Sequence, residues 1–418
     1  MIDSPRHIAA QRATPPRRIP SVRSRTLIAA AGVVAVAIAL FIALRGKDEP
    51  PATSAAAGGA GRTANAAIVS RPAQRSGLRA TLTHVVSELA RRRGADDPQY
   101  FAGGVWRSGN DDCWPCNVGP GQAAAVLAST GEPSATTRRM RALAIATFDG
   151  LIAHHGRADG SFGPASAGQG SRGIVTLTSA LQLATAYLTL QPTLDPRTAA
   201  RWRERLAAAT RYVAKTIPPT YYVNGNINLG AAALFALTAK VTRDAEFQRL
   251  YQDQWRFTLA PPQNDRWRGF GLVMVQRPKR ADGADGRAYL AESGGSKPGL
   301  DIDYVQLQTS YATQLFVLTR DAQARRLLNL LTNQLMTRVS RTTWNLDTSG
   351  GTRHPQRNRE IPFFTPALAT VAFAGRSSLL RDSAGQLRAL KATLRSALRY
   401  SYGPIYRAVG DASLVLLA

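Results

Sequence analysis

The sequence predicts an all-α domain of about five to six helix pairs, preceded by one transmembrane helix. Two observations carry the domain. A loop-then-helix unit recurs five times after residue 110: CWPCNVGPGQAAAVLA (113–128), GSRGIVTLTSALQLATAYL (170–188), YYVNGNINLGAAALFALTAK (221–240), GGSKPGLDIDYVQLQTSYATQLFVL (294–318) and REIPFFTPALATVAFAG (359–375). Each loop is rich in Gly, Pro or Asn and leads into a small-residue apolar helix. A second, charged helical stretch follows most of them, such as Pro196–Lys215 or Asp321–Arg338. Starts spaced roughly 50–70 residues apart fit a helix-pair repeat with inserted loops. The third observation is an uncharged apolar run, Thr26–Leu44.

The elements follow in chain order. Residues 1–25 form a basic tail holding Arg6, Arg12, Arg17, Arg18, Arg23 and Arg25. The run 26–44 spans about 28 Å as a helix, close to a bilayer core. It exceeds a signal-peptide apolar region, and no A-x-A cleavage site directly follows it, so it reads as a signal anchor. The arginine flank puts the N-terminus in the cytoplasm and everything after residue 45 in the extracellular or periplasmic space. Residues 45–77 are an Ala/Gly/Pro/Ser linker without periodicity. The folded domain occupies 78–418. Its first helix, Leu78–Arg93, repeats Leu78, Leu82, Val85, Val86 and Leu89 on one face. Ala135–His154, Ile174–Leu190, Pro196–Lys215 and Ser383–Tyr400 follow the same logic. Asp195-Pro196 is a helix start by capping chemistry, and Ser383 is the expected cap of the last helix. The one strand signal of note is Gly271–Gln276 (GLVMVQ), a hairpin candidate in a long insert.

Lys and Arg total 53 against 27 Asp and Glu, a net charge of +26. That charge suits an acidic partner such as a polyanionic glycan, or reflects arginines solvated on outer helices. The extracytoplasmic address and the lack of a nucleic-acid motif argue against DNA or RNA. Cys113 and Cys116 are the only cysteines. Zinc needs four ligands and no second pair exists; a thioredoxin-type motif lacks its βαβ context. A disulfide stiffening the first loop is the expectation on the oxidising side of a membrane.

The five units and the helix at Leu78–Arg93 give about eleven helices, close to the twelve of a closed double ring. Through CWPCNVGPG, NGNINLG and KPGLDIDY, each a Gly/Asn/Asp-bearing loop entering an apolar helix, residues 78–403 resemble the (α/α)-toroid carbohydrate-active enzymes: polysaccharide lyases, heparinase-like proteins and toroid glycosidases. An open helical solenoid, or a terpene-cyclase-like toroid hinted at by DGSFG (159–163), is the alternative. In a ring of alternating inner and outer helices, all inner N-termini share one rim. The loops would converge there.

Asn224, Asn226 and Asn228 alternate before an apolar helix and suit sugar hydroxyls or a carboxylate; Asn228 also suits a helix cap. The resemblance implies an asparagine that neutralises a substrate carboxylate, making the neighbouring C–H acidic. Asp301, Asp303 and Tyr304 open the next helix: one acid caps it, the other is a candidate general acid or base, and Tyr304 a proton shuttle. Gln308 and Tyr311 share the face of Tyr304. Arg353, His354 and Glu360 lie in one basic loop, where His serves as a base and Arg grips carboxylates. Asp112 and Trp114 flank the cysteines and suit a sugar. His154 and His155 point about 100° apart and read as a helix end. The resulting expectation is a membrane-tethered protein acting on an acidic or cell-envelope polysaccharide by β-elimination or hydrolysis, with no cofactor and no metal. In the lyase version Asn226 or Asn228 neutralises the carboxylate, His354 or Tyr304 handles the proton and Arg353 positions substrate. In the hydrolase version Asp303 pairs with Asp112 or Glu360. The rival is a non-catalytic envelope scaffold on the same ring.

Overall fold

The computed structural model describes residues 70–94, 101–102, 105–106, 118–163, 169–217, 224–260, 271–292, 299–352, 360–399 and 403–418. Twelve α-helices fall within them. Six are outer: α1 (Arg71–Gly94), α3 (Ala135–His155), α5 (Pro196–Thr216), α7 (Ala245–Leu259), α9 (Ala322–Met336) and α11 (Leu380–Ser396). Six are inner and alternate with them: α2 (Gly119–Thr130), α4 (Gln169–Leu190), α6 (Gly225–Thr242), α8 (Ile302–Thr319), α10 (Ala367–Phe373) and α12 (Gly403–Ser413). Three two-stranded antiparallel hairpins, β1–β2 (Phe101–Ala102, Val105–Trp106), β3–β4 (Leu272–Gln276, Arg287–Leu290) and β5–β6 (Asn345–Asp347, Glu360–Pro362), sit between an outer helix and the next inner one.

Composition sorts the two rings. All of α6 except Lys240 and Thr242 is buried, and α8 is buried from Ile302 to Leu318 except for half-buried Leu307. A helix apolar on every side belongs inside a double layer. The outer helices bury one stripe: in α1 it is Leu78, Leu82, Val85, Val86 and Leu89, all at 0 % exposure. Neighbouring inner helices pack in sequence from α2 to α4, α6 and α8. The 3₁₀ turn Leu414–Leu417 bridges α8, α10 and α12, and α12 returns to α2. Outside, α1 packs on α11. Both rings therefore close.

Closure relies on two glycines. A Cβ on Gly119 would lie 1.9 Å from the Tyr406 carbonyl oxygen, and one on Gly410 would lie 3.0 Å from the Gly119 Cα. The helices touch backbone to backbone, which a side chain on either residue would prevent.

The two rims differ. Inner helices pass to outer ones through short turns. Two of these repeat the tripeptide Thr-Arg-Asp, at 242–244 and 319–321. In both, the Arg takes a left-handed conformation (φ 59° and 62°) and closes the finished helix. In both, the Thr hydroxyl accepts from the Asp N–H at 3.2 Å. The Asp then caps the next helix, accepting from Glu246 or Ala324 N–H at 2.8 Å. The described hairpins occupy the opposite rim, where the inner helices begin.

The expected helices occur with boundaries shifted by a few residues, and the strand expected at Gly271–Gln276 is β3. Asp195 caps α5, accepting from the N–H of Arg197 and Thr198, and α3 ends at His155. Ser383 corrects the expectation: it lies inside α11, which starts at Leu380, and its hydroxyl donates to Gln74 of α1 at 2.7 Å. The helix α12 was not anticipated. The run Thr26–Leu44 lies outside the described residues. Among those, one helix, Arg172–Thr193, is long and apolar enough to cross a membrane, but 78 % of its apolar 18-residue stretch is buried within the protein.

Candidate active site in the ring interior and its rim

The rim is assembled around Glu292, which follows β4. Its backbone bridges Asn224 on one side and Gly299 on the other. The side chain is fully buried. Its Oε1 accepts from the Asn226 N–H at 2.7 Å and from Gln308 Nε2 at 2.8 Å. Asn226 is the second residue of α6, so Glu292 caps that helix from 66 residues away, placing negative charge at its positive end. Gln308 of α8 also receives the Leu290 N–H (3.1 Å) and donates to the Leu290 carbonyl (2.9 Å). One amide thus holds the end of β4 against the starts of both helices. Gly225 allows the approach, since a Cβ there would lie 2.4 Å from Leu290 Cβ.

Helix α8 begins under its own acids. Asp301 is the N-cap, accepting from the Tyr304 N–H at 3.4 Å. Asp303, in the first turn, is 6 % exposed, and Tyr304 is buried beside it. The division into one capping and one non-capping acid is the arrangement expected from the sequence. Thr352 docks on the same rim, its N–H donating to the Leu300 carbonyl at 3.1 Å and its hydroxyl to the Glu292 carbonyl at 3.3 Å.

Deeper in the ring lies a buried charged cluster. Arg407 Nε of α12 faces the Asp411 carboxylate at 3.4 Å, and its guanidinium lies 5.0 Å from the centre of the Tyr311 ring. Ser310 of α8 lies beside the Asp411 carboxylate. Burial opposes charge on Arg407, but its contacts with Tyr311 and Asp411 outweigh burial and raise its basicity. Burial raises the proton affinity of Asp411, with Arg407 and Ser310 opposing. Arg407 keeps 14 % of its side chain exposed. Asp303, Leu307, Ser310, Tyr311 and Gln314 recur at helical spacing along α8. Gln314 donates to the Leu181 carbonyl of α4 across the ring at 2.8 Å, which identifies this stripe as the inward one.

The expected site residues divide accordingly. Asn226, Asp301, Asp303 and Tyr304 share the rim with Glu292. Asn224 holds the N-cap position of α6 without a side-chain cap bond. Asn228 is not the cap. It lies inside α6, fully buried, and its Oδ1 accepts from Gln254 of α7 at 3.3 Å, so it faces the outer ring. Glu360 is exposed on β6, accepting from the side chains of Thr343 (3.5 Å) and Asn345 (3.4 Å). The DGSFG segment is a turn: Asp159 accepts from the N–H and hydroxyl of Ser161 at 2.9 and 2.6 Å. Asp112, Cys113, Trp114, Cys116, Arg353 and His354 lie outside the described residues.

Glu292, Arg407 and Asp411 escaped the sequence reading. Glu292 had no helix of its own to mark it. Arg407 and Asp411 did carry a signal: a basic and an acidic residue four apart inside the apolar run PIYRAVGDASLVLL.

A family model for the ulvan lyase N-terminal domain matches residues 134–253, which run from α3 into α7 and are under a third of the chain. No curated protein matches. Among solved structures, a family 76 glycoside hydrolase from a bovine Bacteroides thetaiotaomicron strain is similar over 81 % of this chain and 76 % of its own, with 11 % identity and a TM-score of 0.44. The chain resembles the toroid carbohydrate-active enzymes in its helical architecture and in this partial family match.

Proposed function

We propose that this protein cleaves an acidic polysaccharide by β-elimination at the rim and interior of the inner ring. The observation that carries the reading is Arg407: a largely buried arginine beside Tyr311, on the helix that closes the ring, with 14 % of its side chain exposed. Arg407 pairs with the carboxylate of a uronate unit, drawing charge from the ring carbon next to it. A base among Tyr304, Tyr311 and His354 takes the proton from that carbon. The electron pair forms the new C=C bond, the C–O bond to the neighbouring sugar breaks, and a proton passes to the leaving oxygen. The run 26–44 supports a membrane-tethered, extracytoplasmic location.

Hydrolysis at Asp303 is the second reading, favoured by its burial at the start of α8. Product ends decide between them. The protein is incubated with ulvan, whose name the matching family carries, and with other polyuronates. β-Elimination yields a conjugated unsaturated uronate that absorbs in the ultraviolet. Reducing ends without that absorbance would replace elimination by hydrolysis, and no new ends on any polymer would favour the scaffold.

A further inference from the structure

A concave surface lies away from the ring interior, on the outer flank between α7 and the start of α9. It is a groove of about 570 Å³, within the range of small-ligand sites. Tyr251 and Trp255 stand one turn apart on α7 with ring centres 5.9 Å apart at 44°. The indole is fixed, donating to Gln323 Oε1 of α9 at 2.8 Å. Gln248, Gln252, Arg256 and Asp321 add polar groups to the lining. Burial, reinforced by Asp321, pushes the Tyr251 phenol up, so it keeps its proton and stays a donor as well as an acceptor.

We propose that this groove binds one or two sugar units of a glycan chain through the apolar face of a ring stacked on Tyr251 and through hydroxyls held by the amides and Asp321. The chemistry singles out a sugar. Aromatic faces take up C–H surfaces, and side-chain amides and a carboxylate pair with adjacent hydroxyls. Charge does not drive it: Arg256 and Asp321 face the groove with opposite signs. A groove on the outer flank would hold a long chain while another stretch occupies the ring. This rests on the glycan reading of the proposed function, but not on cleavage.

The test is migration of the full chain through native gels containing ulvan, a polyuronate or a neutral glucan, at low and high salt. Electrostatic retention by a protein of charge +26 fades with salt; retention through the groove persists for at least one polymer. Tyr251→Ala weakens the salt-resistant part by roughly three- to tenfold, the scale of one aromatic contact, and Tyr251→Phe keeps most of it. Gln252→Ala, at an exposed position, weakens it without touching the core. Cleavage of a short oligosaccharide is unchanged in all three. Absence of salt-resistant retention for every polymer overturns the proposal, as does equal retention of wild type, Tyr251→Ala and Gln252→Ala. Salt-resistant, Tyr251-dependent retention without any cleavage upholds the groove and overturns the catalytic reading alone.

Discussion

Glu292 does for α6 what no residue at the helix's own start does. Asn224 stands in the cap position, yet the first-turn Asn226 N–H goes to a carboxylate that arrives from the β3–β4 insert. Asn226 Oδ1 meanwhile accepts from the Ile227 N–H at 2.8 Å. Three alternating asparagines therefore look like cap chemistry in the sequence while the cap comes from elsewhere. No local pattern shows a bond spanning 66 residues. Replacing Glu292 with Ala leaves the Asn226 N–H and one of the two Gln308 amide N–H groups buried without an acceptor. We expect a loss of about 2–6 kcal/mol, from roughly 1–3 kcal/mol per orphaned group, read by denaturant unfolding. Glu292→Gln keeps an acceptor oxygen and costs about half as much. Equal, small effects of both would remove the fastening role.

At the level of elements, periodicity exposed the helices and concealed their joins. The apolar stripe of α1 and the Asp-Pro start of α5 are local features, and both stand where the sequence put them. Ser383 misled because capping residues also serve as interhelix donors, and its partner Gln74 lies at the other end of the chain. Helix α12 does carry a start signal, Gly403-Pro404, but its 11 residues hold too few turns for an apolar period to stand out. The β3–β4 hairpin makes an element-scale prediction. Hydrogen bonding by the Arg280 side chain holds Asp282 below the ordinary carboxylate range, and the Arg280 N–H does the same for Asp285. In β5 a hydrogen bond from Ser349 lowers Asp347. Carboxylates with lowered values stabilise the fold above the unfolded pKa of about 4, and that stabilisation is lost as pH falls through their lower folded values. The melting temperature should therefore drop steeply below about pH 4, and Asp282→Asn with Asp285→Asn should flatten that limb. An unchanged acid limb in the double variant would contradict the assignment.

For the whole molecule, ring closure and site are one problem, because α12 supplies both Gly410 and Arg407. Gly119→Ala forces a methyl group into the Tyr406 carbonyl. It should cost about 1–3 kcal/mol or more in calorimetric melting, and it should weaken activity by shifting Arg407. A variant as stable and active as wild type would mean that the closure is looser than described. The double ring was legible as a repeat because each unit must bury an apolar helix against its neighbours. The floor of the site was not, because Arg407 meets Tyr311 only after the chain has travelled the full circuit. The most direct measurement is the rate of unsaturated-end formation on a polyuronate by wild type, Asp303→Asn and Tyr311→Phe, two near-isosteric changes that leave the ring packed. If the interior is the working site, wild type cleaves, and at least Tyr311→Phe falls by about a hundredfold or more, the scale of losing one proton-transfer or charge-stabilising group, while both variants melt cooperatively. Full activity in both would place the chemistry elsewhere.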